Sequence, residues 1–146
     1  RNAFVMDSLM KDVARYGTAA RASVVLKRSD IAGKTGTTND SHDAWFAGYG
    51  GDLVAVSWLG FDQPRPLGER ETGGGLALPI WISYMAKALS GVPEAQREMP
   101  PGIVQLGGEV YFAEHQPGQG IASVGVEETV PVEEKAQRET VRDQIF

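Results

Sequence analysis

The sequence has no cysteine, no long hydrophobic run and no excess of positive charge. The absence of cysteine from its 146 residues excludes disulfides, thiolate zinc sites and cysteine nucleophiles. No stretch approaches the roughly 20 apolar residues of a membrane span, and the start of the chain is not typical of a signal peptide. The net charge is −5 and there is no basic block. The sequence therefore does not predict a nucleic-acid binder.

Hydrophobic residues nevertheless make up 42% of the chain, which is enough to bury a core if they are suitably patterned. Residues 2–17 predict a helix, because Met6, Leu9, Met10 and Val13 recur at helical spacing and Gly17 follows them. A short loop is expected next. Because the chain starts at Arg1 and not at Met, we expect it to be a piece of a longer protein.

Three strands are predicted over residues 30–38, 44–49 and 53–59. The glycine-rich turn at residues 50–52 makes the last two antiparallel neighbours. The third strand is apolar on both faces, which predicts cover on both sides. Residues 60–75 predict an exposed loop and residues 76–89 a helix with a buried apolar stripe (Leu78, Ile82, Met85 and Leu89). The expected fold is α/β of the α+β type, an antiparallel sheet flanked by helices.

Residues 31–38 (IAGKTGTT) are the best candidate for chemistry. Two glycines inside one strand need a reason, such as close approach by another backbone or a ligand. Lys34 and Gly36 point to one face of an ideal strand, and Thr35 and Thr37 to the other. A cation, hydroxyls and backbone N–H groups suit a carboxylate or a developing oxyanion. The competing interpretation is a half-exposed edge strand with incidental polar residues.

A wider set of motifs resembles the closing part of the transpeptidase domain of class A (bifunctional) penicillin-binding proteins, over about residues 3–104. The motifs occur in this order: Asp12-Val13, Gly17-Thr18-Ala19, residues 31–40 (IAGKTGTTND), residues 43–49 (DAWFAGY), residues 58–62 (WLGFD) and Pro79-Ile80-Trp81. We expect residues 1–100 to be the C-terminal portion of such a domain, incomplete in this chain. Residues 101–146 are expected to form an extended segment of unknown role.

The resemblance implies D,D-transpeptidation of peptidoglycan stem peptides through a serine acyl-enzyme, which β-lactams also form. By position, Lys34 and Thr37 are the catalytic candidates, with the ammonium of Lys34 beside the nucleophile and the N–H of Thr37 as an oxyanion donor. The substrate-binding candidates are Thr35, Gly36, Thr37 and Thr38. No cofactor and no metal are expected. The implied location is the periplasmic face of the bacterial inner membrane, with the membrane anchor outside this chain.

The chain departs from the family pattern at its nucleophile. The family has a Ser-x-x-Lys and a Ser-x-Asn motif upstream of Lys-Thr-Gly, and no Ser-x-Asn occurs here. Ser8 and Lys11 fit the first motif, but they lie in a helix too close to Lys34 and are expected to be merely solvated. We therefore expect the chain alone to be inactive and a complementary part of the domain to carry both motifs and to pack against the sheet.

Two other functions stay open. A serine β-lactamase shares the fold and the Lys-Thr-Gly strand, although residues 37–40 and 45–48 favour the transpeptidase. A non-catalytic peptide- or β-lactam-sensing module on the same scaffold is the alternative from a different class.

Other polar and aromatic residues carry weaker expectations. His42 is expected to be exposed in the loop after the motif strand, with a position at the border of the cleft as the alternative. His115 lacks neighbours at metal-ligand spacing. The adjacent Ser41-His42-Asp43 cannot form a catalytic triad, whose members come from separate segments. Asp43 is expected to cap backbone groups of its loop. Trp45, Phe46 and Trp58 are expected in the core, whereas Trp81 fits either core or surface.

Overall fold

The computed structural model describes residues 1–118, and it separates a unit of residues 1–113, treated below, from the chain that follows. The helices are α1 (Asn2–Arg15), α2 (Ala20–Leu26) and α3 (Leu78–Ala88). The strands are β1 (Ala32–Thr37), β2 (Ala44–Gly50), β3 (Leu53–Leu59), β4 (Ile103–Leu106) and β5 (Glu109–Phe112). The first three form an antiparallel sheet in the order β1-β2-β3, and β4 and β5 form a separate hairpin. The predicted fold class is confirmed.

One face of the three-stranded sheet, here called the packed face, carries the core. Phe46 of β2 lies opposite Thr35 of β1 and Ser57 of β3, so these three side chains share this face. Helix α3 covers it: the ring of Trp81 meets Phe46 edge-on at 4.9 Å, and its indole N–H donates to the carbonyl of Ala55 at 3.0 Å. The predicted α3 stripe is buried as expected, and it consists of Leu78, Ile82, Met85 and Leu89.

The opposite face, here called the open face, carries Trp45, Val54, Val56 and Trp58. Their exposed fractions are 42%, 70%, 58% and 44% within the part of the chain that the structure describes. The prediction that Trp45 and Trp58 belong to the core is therefore wrong, as is the prediction that β3 is covered on both sides. The alternation of β3 places Ser57 inward and its apolar neighbours outward, and α3 lies only on the packed face. Phe46 and Trp81 are buried.

Helix α1 has an exposed apolar side and a buried ion pair. Met6 and Leu9, two residues of its predicted stripe, are 53% and 51% exposed. Asp7 is buried instead, and its carboxylate pairs with the Lys11 ammonium at 2.8 Å and accepts from the Tyr49 hydroxyl at 2.7 Å. Lys11 is therefore not merely solvated, and Ser8 is half-buried. Burial raises the pKa of Asp7, but the bonds from Lys11 and Tyr49 outweigh it and hold that pKa below its usual value.

Three elements depart from the sequence-based expectation. Helix α2 occupies the segment predicted as a loop, and it ends at Lys27 in the left-handed region (φ 52°). A π-helical turn, Gly73–Ala77, whose first and last residues are buried, replaces the end of the predicted exposed loop. The hairpin of β4 and β5 forms inside the segment predicted as an extended tail, and Gly107 and Gly108 make its turn with φ of 61° and 92°. Residues 119–146 of that predicted tail lie outside the described residues.

A cluster around Asp30, here called the Asp30 clasp, holds the start of β1. The Asp30 carboxylate accepts from the Arg28 guanidinium (2.9 and 2.8 Å) and from the backbone N–H groups of Gly51 (2.8 Å) and Ala95 (2.9 Å). Arg28 also donates to the carbonyls of Val92 and Pro93. Burial opposes ionisation, but these donors lower the pKa of Asp30 to about 2. The clasp ties β1 to the β2–β3 turn and to the segment after α3.

Candidate functional site

The candidate site lies on β1, at one edge of the sheet. Strand β1 pairs with β2 on one side, and no strand among residues 1–118 pairs with its other edge. Ala32 and Gly33 are buried, whereas Lys34, Thr37 and Thr38 are exposed. The buried half of the strand thus anchors a half whose polar groups face solvent.

Lys34 lies on the open face, as the alternation predicts. Its ammonium donates to the carbonyl of Thr35 at 3.0 Å, so it stays close to the backbone of β1. Gly36 shares this face and pairs with Trp45 of β2. A Cβ atom at Gly36 would lie 3.2 Å from the Cβ of Trp45, so a larger residue would need Trp45 to shift. The backbone here is thus left uncovered by a side chain, as close approach of an extended ligand requires.

Thr35 and Thr37 lie on the other face, towards the helices. The hydroxyls of Thr35 and Thr18 are 2.9 Å apart, and Thr18 belongs to the short connection between α1 and α2. The Thr37 hydroxyl accepts from the N–H of Gly73 at 3.1 Å. Pairing of β1 with β2 is regular from Ala32 to Thr37, without a bulge. Lys34 therefore lies on the opposite face of the strand from Thr35 and Thr37. Only a ligand that lies beside the free edge of β1 can contact all three side chains.

Gly73 approaches β1 and β2 more closely than any side chain would allow. A Cβ atom there would overlap the carbonyl oxygens of Trp45 and Gly36 and would lie 3.1 Å from the Gly36 nitrogen. The π-helical turn that Gly73 opens is capped by Thr72, whose hydroxyl accepts from the Gly75 N–H at 3.1 Å. Thr18 and Gly73 are thus the site neighbours that sequence reasoning missed. The run of three glycines directly before the predicted helix was the available signal for Gly73.

The turn that follows β1 is closed by Thr38 and Asp43. The Thr38 hydroxyl accepts from the Asp43 N–H at 2.8 Å, and the Thr38 N–H donates to the Asp43 carbonyl at 3.1 Å. The Asp43 carboxylate accepts from the Trp58 indole N–H at 2.9 Å. Asp43 thus fixes its loop, as expected. Its carboxylate was predicted to cap backbone groups, but it accepts instead from the side chain of Trp58 on β3. Thr38, a predicted substrate contact, has its hydroxyl oriented by this turn.

The weaker candidates do not assemble into a second site. His42 is half-buried directly after a left-handed turn at Asp40 and Ser41 (φ 56° and 50°), so the prediction of an exposed histidine is wrong. His115 ends a one-turn helix, Ala113–His115. Among residues 1–118, no three acidic, histidine or cysteine side chains lie together as metal ligands would. None of the helices in this part is long and apolar enough to cross a membrane.

A cavity of about 630 Å³ lies away from the motif, between the start of α1, the β2–β3 turn and residues 97–100. Asp7, Tyr49 and Arg97 line it, and the Arg97 guanidinium is 3.5 Å from the Asp7 carboxylate. Burial and the neighbouring Asp7 charge raise the pKa of Tyr49 to about 12, so the phenol stays protonated and donates to Asp7. These polar groups satisfy one another and do not contribute to the motif site.

Comparison with known proteins identifies the family of the chain. No family model matches the chain. Curated relatives match 79% and 73% of it at 51% and 57% identity, over 115 and 106 residues. The chain belongs to the penicillin-binding protein family, and it corresponds to a part of the transpeptidase domain of the class A members.

The relatives carry one name. They are penicillin-binding protein 1A of Neisseria lactamica and penicillin-binding protein 1A of Pseudomonas aeruginosa, and the chain spans only 14% and 13% of their lengths. A solved structure of penicillin-binding protein 1A from Haemophilus influenzae is 44% identical, with a TM-score of 0.67. That likeness covers 70% of this chain and 16% of the solved one. The fold of this chain therefore corresponds to a segment of the solved protein.

Proposed function

We propose that this chain supplies the acyl-donor binding edge of a peptidoglycan D,D-transpeptidase. The observation that carries the proposal is the exposed half of β1, where the residues Lys34 and Thr37 are exposed at an edge with no strand beside it among residues 1–118. An extended peptide can add to such an edge through main-chain hydrogen bonds. The membership in the penicillin-binding protein family supports the same function.

The reaction proceeds by two acyl transfers. A serine hydroxyl from the remainder of the domain attacks the penultimate D-Ala carbonyl, and the bond to the terminal D-Ala breaks. The serine proton ends on the amine of the departing D-Ala. An amine of a neighbouring stem peptide then attacks the serine ester, which forms the cross-link and returns a proton to the serine oxygen. A β-lactam undergoes only the first transfer, and its opened ring remains on the serine.

The motif residues divide this work according to their chemistry. The hydroxyls of Thr35 and Thr37 bind the terminal carboxylate of the acyl donor, and Gly36 lets its backbone approach. The N–H of Thr37 is one donor to the developing oxyanion, which is typically worth about 2.7–4 kcal/mol. The ammonium of Lys34 provides positive charge beside the serine. Thr38 contacts the acyl donor from a position fixed by Asp43.

The open face explains why the chain needs a partner. Trp45, Val54, Val56 and Trp58 expose apolar surface on the same face as Lys34. We infer that the remainder of the domain, which carries the Ser-x-x-Lys and Ser-x-Asn motifs, packs here and so brings the serine towards the Lys34 ammonium. The chain alone lacks the nucleophile and is expected to be inactive. In the complete protein, this domain lies on the periplasmic face of the bacterial inner membrane.

The Thr37 hydroxyl gives the sharpest test. In the complete protein, Thr37→Val removes the hydroxyl at nearly constant volume, and we expect the rate of acylation by a penicillin to fall at least about tenfold, or about 1.4 kcal/mol. Thr37→Ser keeps a hydroxyl and should stay within about threefold of the wild type, a difference below about 0.7 kcal/mol. The rate is measured by the appearance of covalently labelled protein with a fluorescent penicillin.

Unchanged acylation of Thr37→Val contradicts the role of this hydroxyl. Rapid release of hydrolysed penicillin by the wild type, in place of a long-lived adduct, indicates a β-lactamase. Covalent labelling without cross-linking of stem peptides indicates a sensor module.

A further inference from the structure

The hydrogen bond between Gly73 and Thr37 determines how the Thr37 hydroxyl meets a ligand. A hydroxyl has one hydrogen to donate and two lone pairs to accept with. The backbone N–H of Gly73 occupies one lone pair of the Thr37 oxygen at 3.1 Å. The hydrogen of that hydroxyl is left to donate elsewhere. A carboxylate only accepts hydrogen bonds, so the hydroxyl is set up for the ligand that the proposed function requires.

The position of the Gly73 N–H is fixed by its surroundings. Gly73 is buried, and its α-carbon lies against the backbone of Gly36 and Trp45. The Thr72 carbonyl accepts from the N–H groups of Gly75 (3.1 Å) and Leu76 (2.9 Å), and these bonds hold the turn. The turn continues directly into α3, whose first residue, Leu78, is part of the core. The N–H group of Gly73 therefore lies on a rigid element, as a preorganised binding group should.

We propose that Gly73 is a positioning residue for recognition of the acyl donor's carboxylate. Its N–H holds the Thr37 hydroxyl in one rotamer and leaves the hydroxyl proton for the ligand. Its lack of a side chain permits the close approach that this bond needs. The inference rests on the proposed function and adds to it a second segment, from beyond β3, that acts on the motif strand without touching the ligand.

The test compares two acyl donors in the complete protein: a penicillin with its free carboxylate and the methyl ester of the same penicillin. A hydrogen bond to a charged group is worth more than one to a neutral group. Gly73→Ala is therefore expected to lower acylation by the free acid about tenfold and by the ester less than about threefold. A merely structural role of Gly73 would lower both rates by the same factor.

A double-mutant cycle provides the second readout. If Gly73 acts through the Thr37 hydroxyl, Gly73→Ala should add little once Thr37→Val has removed that hydroxyl. Gly75→Ala is the matched control, because a Cβ atom there meets only the Thr72 hydroxyl, at an ordinary 3.5 Å. This control should acylate like the wild type with both donors.

Thr72→Val decides the question if Gly73→Ala does not fold, since it loosens the turn without adding an atom against β1. It should show the same preference, with a smaller loss for the free acid than Gly73→Ala. Equal losses with both donors, or losses additive with Thr37→Val, overturn the role of Gly73. A wild-type protein that no penicillin acylates overturns the proposed function instead, so the two failures are distinguishable.

Discussion

The two faces of the three-stranded sheet both carry aromatic side chains, but these side chains have different environments. On β2, Trp45 and Phe46 are adjacent aromatic residues, yet Phe46 is completely buried and Trp45 is 42% exposed. Phe46 packs against Trp81 of α3, which is part of this chain. Among the aromatic rings of residues 1–118, Trp45 contacts that of Trp58 alone, on the neighbouring strand, with the ring centres 5.9 Å apart and the planes tilted by 44°. The difference teaches that an apolar strand position shows a need for cover but not which polypeptide segment provides it.

The largest effect is expected on the packed face. Phe46→Ala removes a fully buried ring and its edge-on contact with Trp81. We expect the free energy of unfolding of the 146-residue chain to fall by about 3–5 kcal/mol, the usual cost of such a truncation. Urea unfolding followed by tryptophan fluorescence measures it. A loss below about 1 kcal/mol would show that the packed face does not hold the chain together.

An intermediate effect is expected at the Asp30 clasp, which ties the start of β1 to the β2–β3 turn and to the segment after α3. The pKa of Asp30 is about 2 in the folded chain against 3.8 ordinarily, so ionised Asp30 favours folding above pH 4. This contribution, about 2 kcal/mol, is lost as pH falls from about 4 through about 2. Asp7, whose pKa is also lowered, acts in the same direction.

Asp30→Asn separates the two acidic groups. This variant should be less stable at pH 7 and should lose less stability between pH 4 and pH 2 than the wild type. Thermal unfolding at several pH values gives both quantities. If wild type and variant lose stability in parallel on acidification, another carboxylate is responsible.

The smallest effect is expected on the open face. Trp45→Ala should change the free energy of unfolding of the isolated chain by less than about 1 kcal/mol, because the ring is only partly buried. In the complete protein, the same substitution should cost several times more if the remainder of the domain covers this face. Equal, small effects in both proteins would contradict the inferred packing, and Phe46→Ala serves as the matched neighbour in each.

Much of the sheet could be predicted from the sequence. Strand β3 has the predicted bounds, and β2 extends only one residue further, because the glycine turn and the apolar runs are local signals. The motif strand was also located by its composition. The apolar stripe of α3 was predicted from its helical spacing. It is buried as predicted because the packed face that covers it lies in the same chain. These features depend on short-range patterns within the chain itself.

The rest depends on contacts that no local pattern reveals. Helix α2 was missed because only Ala22 of its seven residues is buried and its valines favour strands. The prediction that Trp45 and Trp58 belong to the core is wrong because nothing among residues 1–118 covers their face fully. The bond from Gly73 to Thr37 joins residues 36 positions apart. Its glycine run looks like a flexible loop in the sequence, although close approach to two strands requires it.

The Asp30 clasp has a consequence for the register in which the motif strand β1 pairs with β2. A shift of β1 along β2 by one residue would exchange the faces of Lys34 and Thr35, sending the ammonium towards the helices and the hydroxyl away from them. Such a shift would also pull Asp30 away from the Gly51 and Ala95 N–H groups that it accepts from. A buried carboxylate at the start of the motif strand thus disfavours such a shift, and it keeps the Lys34 ammonium and the Thr35 hydroxyl on opposite faces of the sheet.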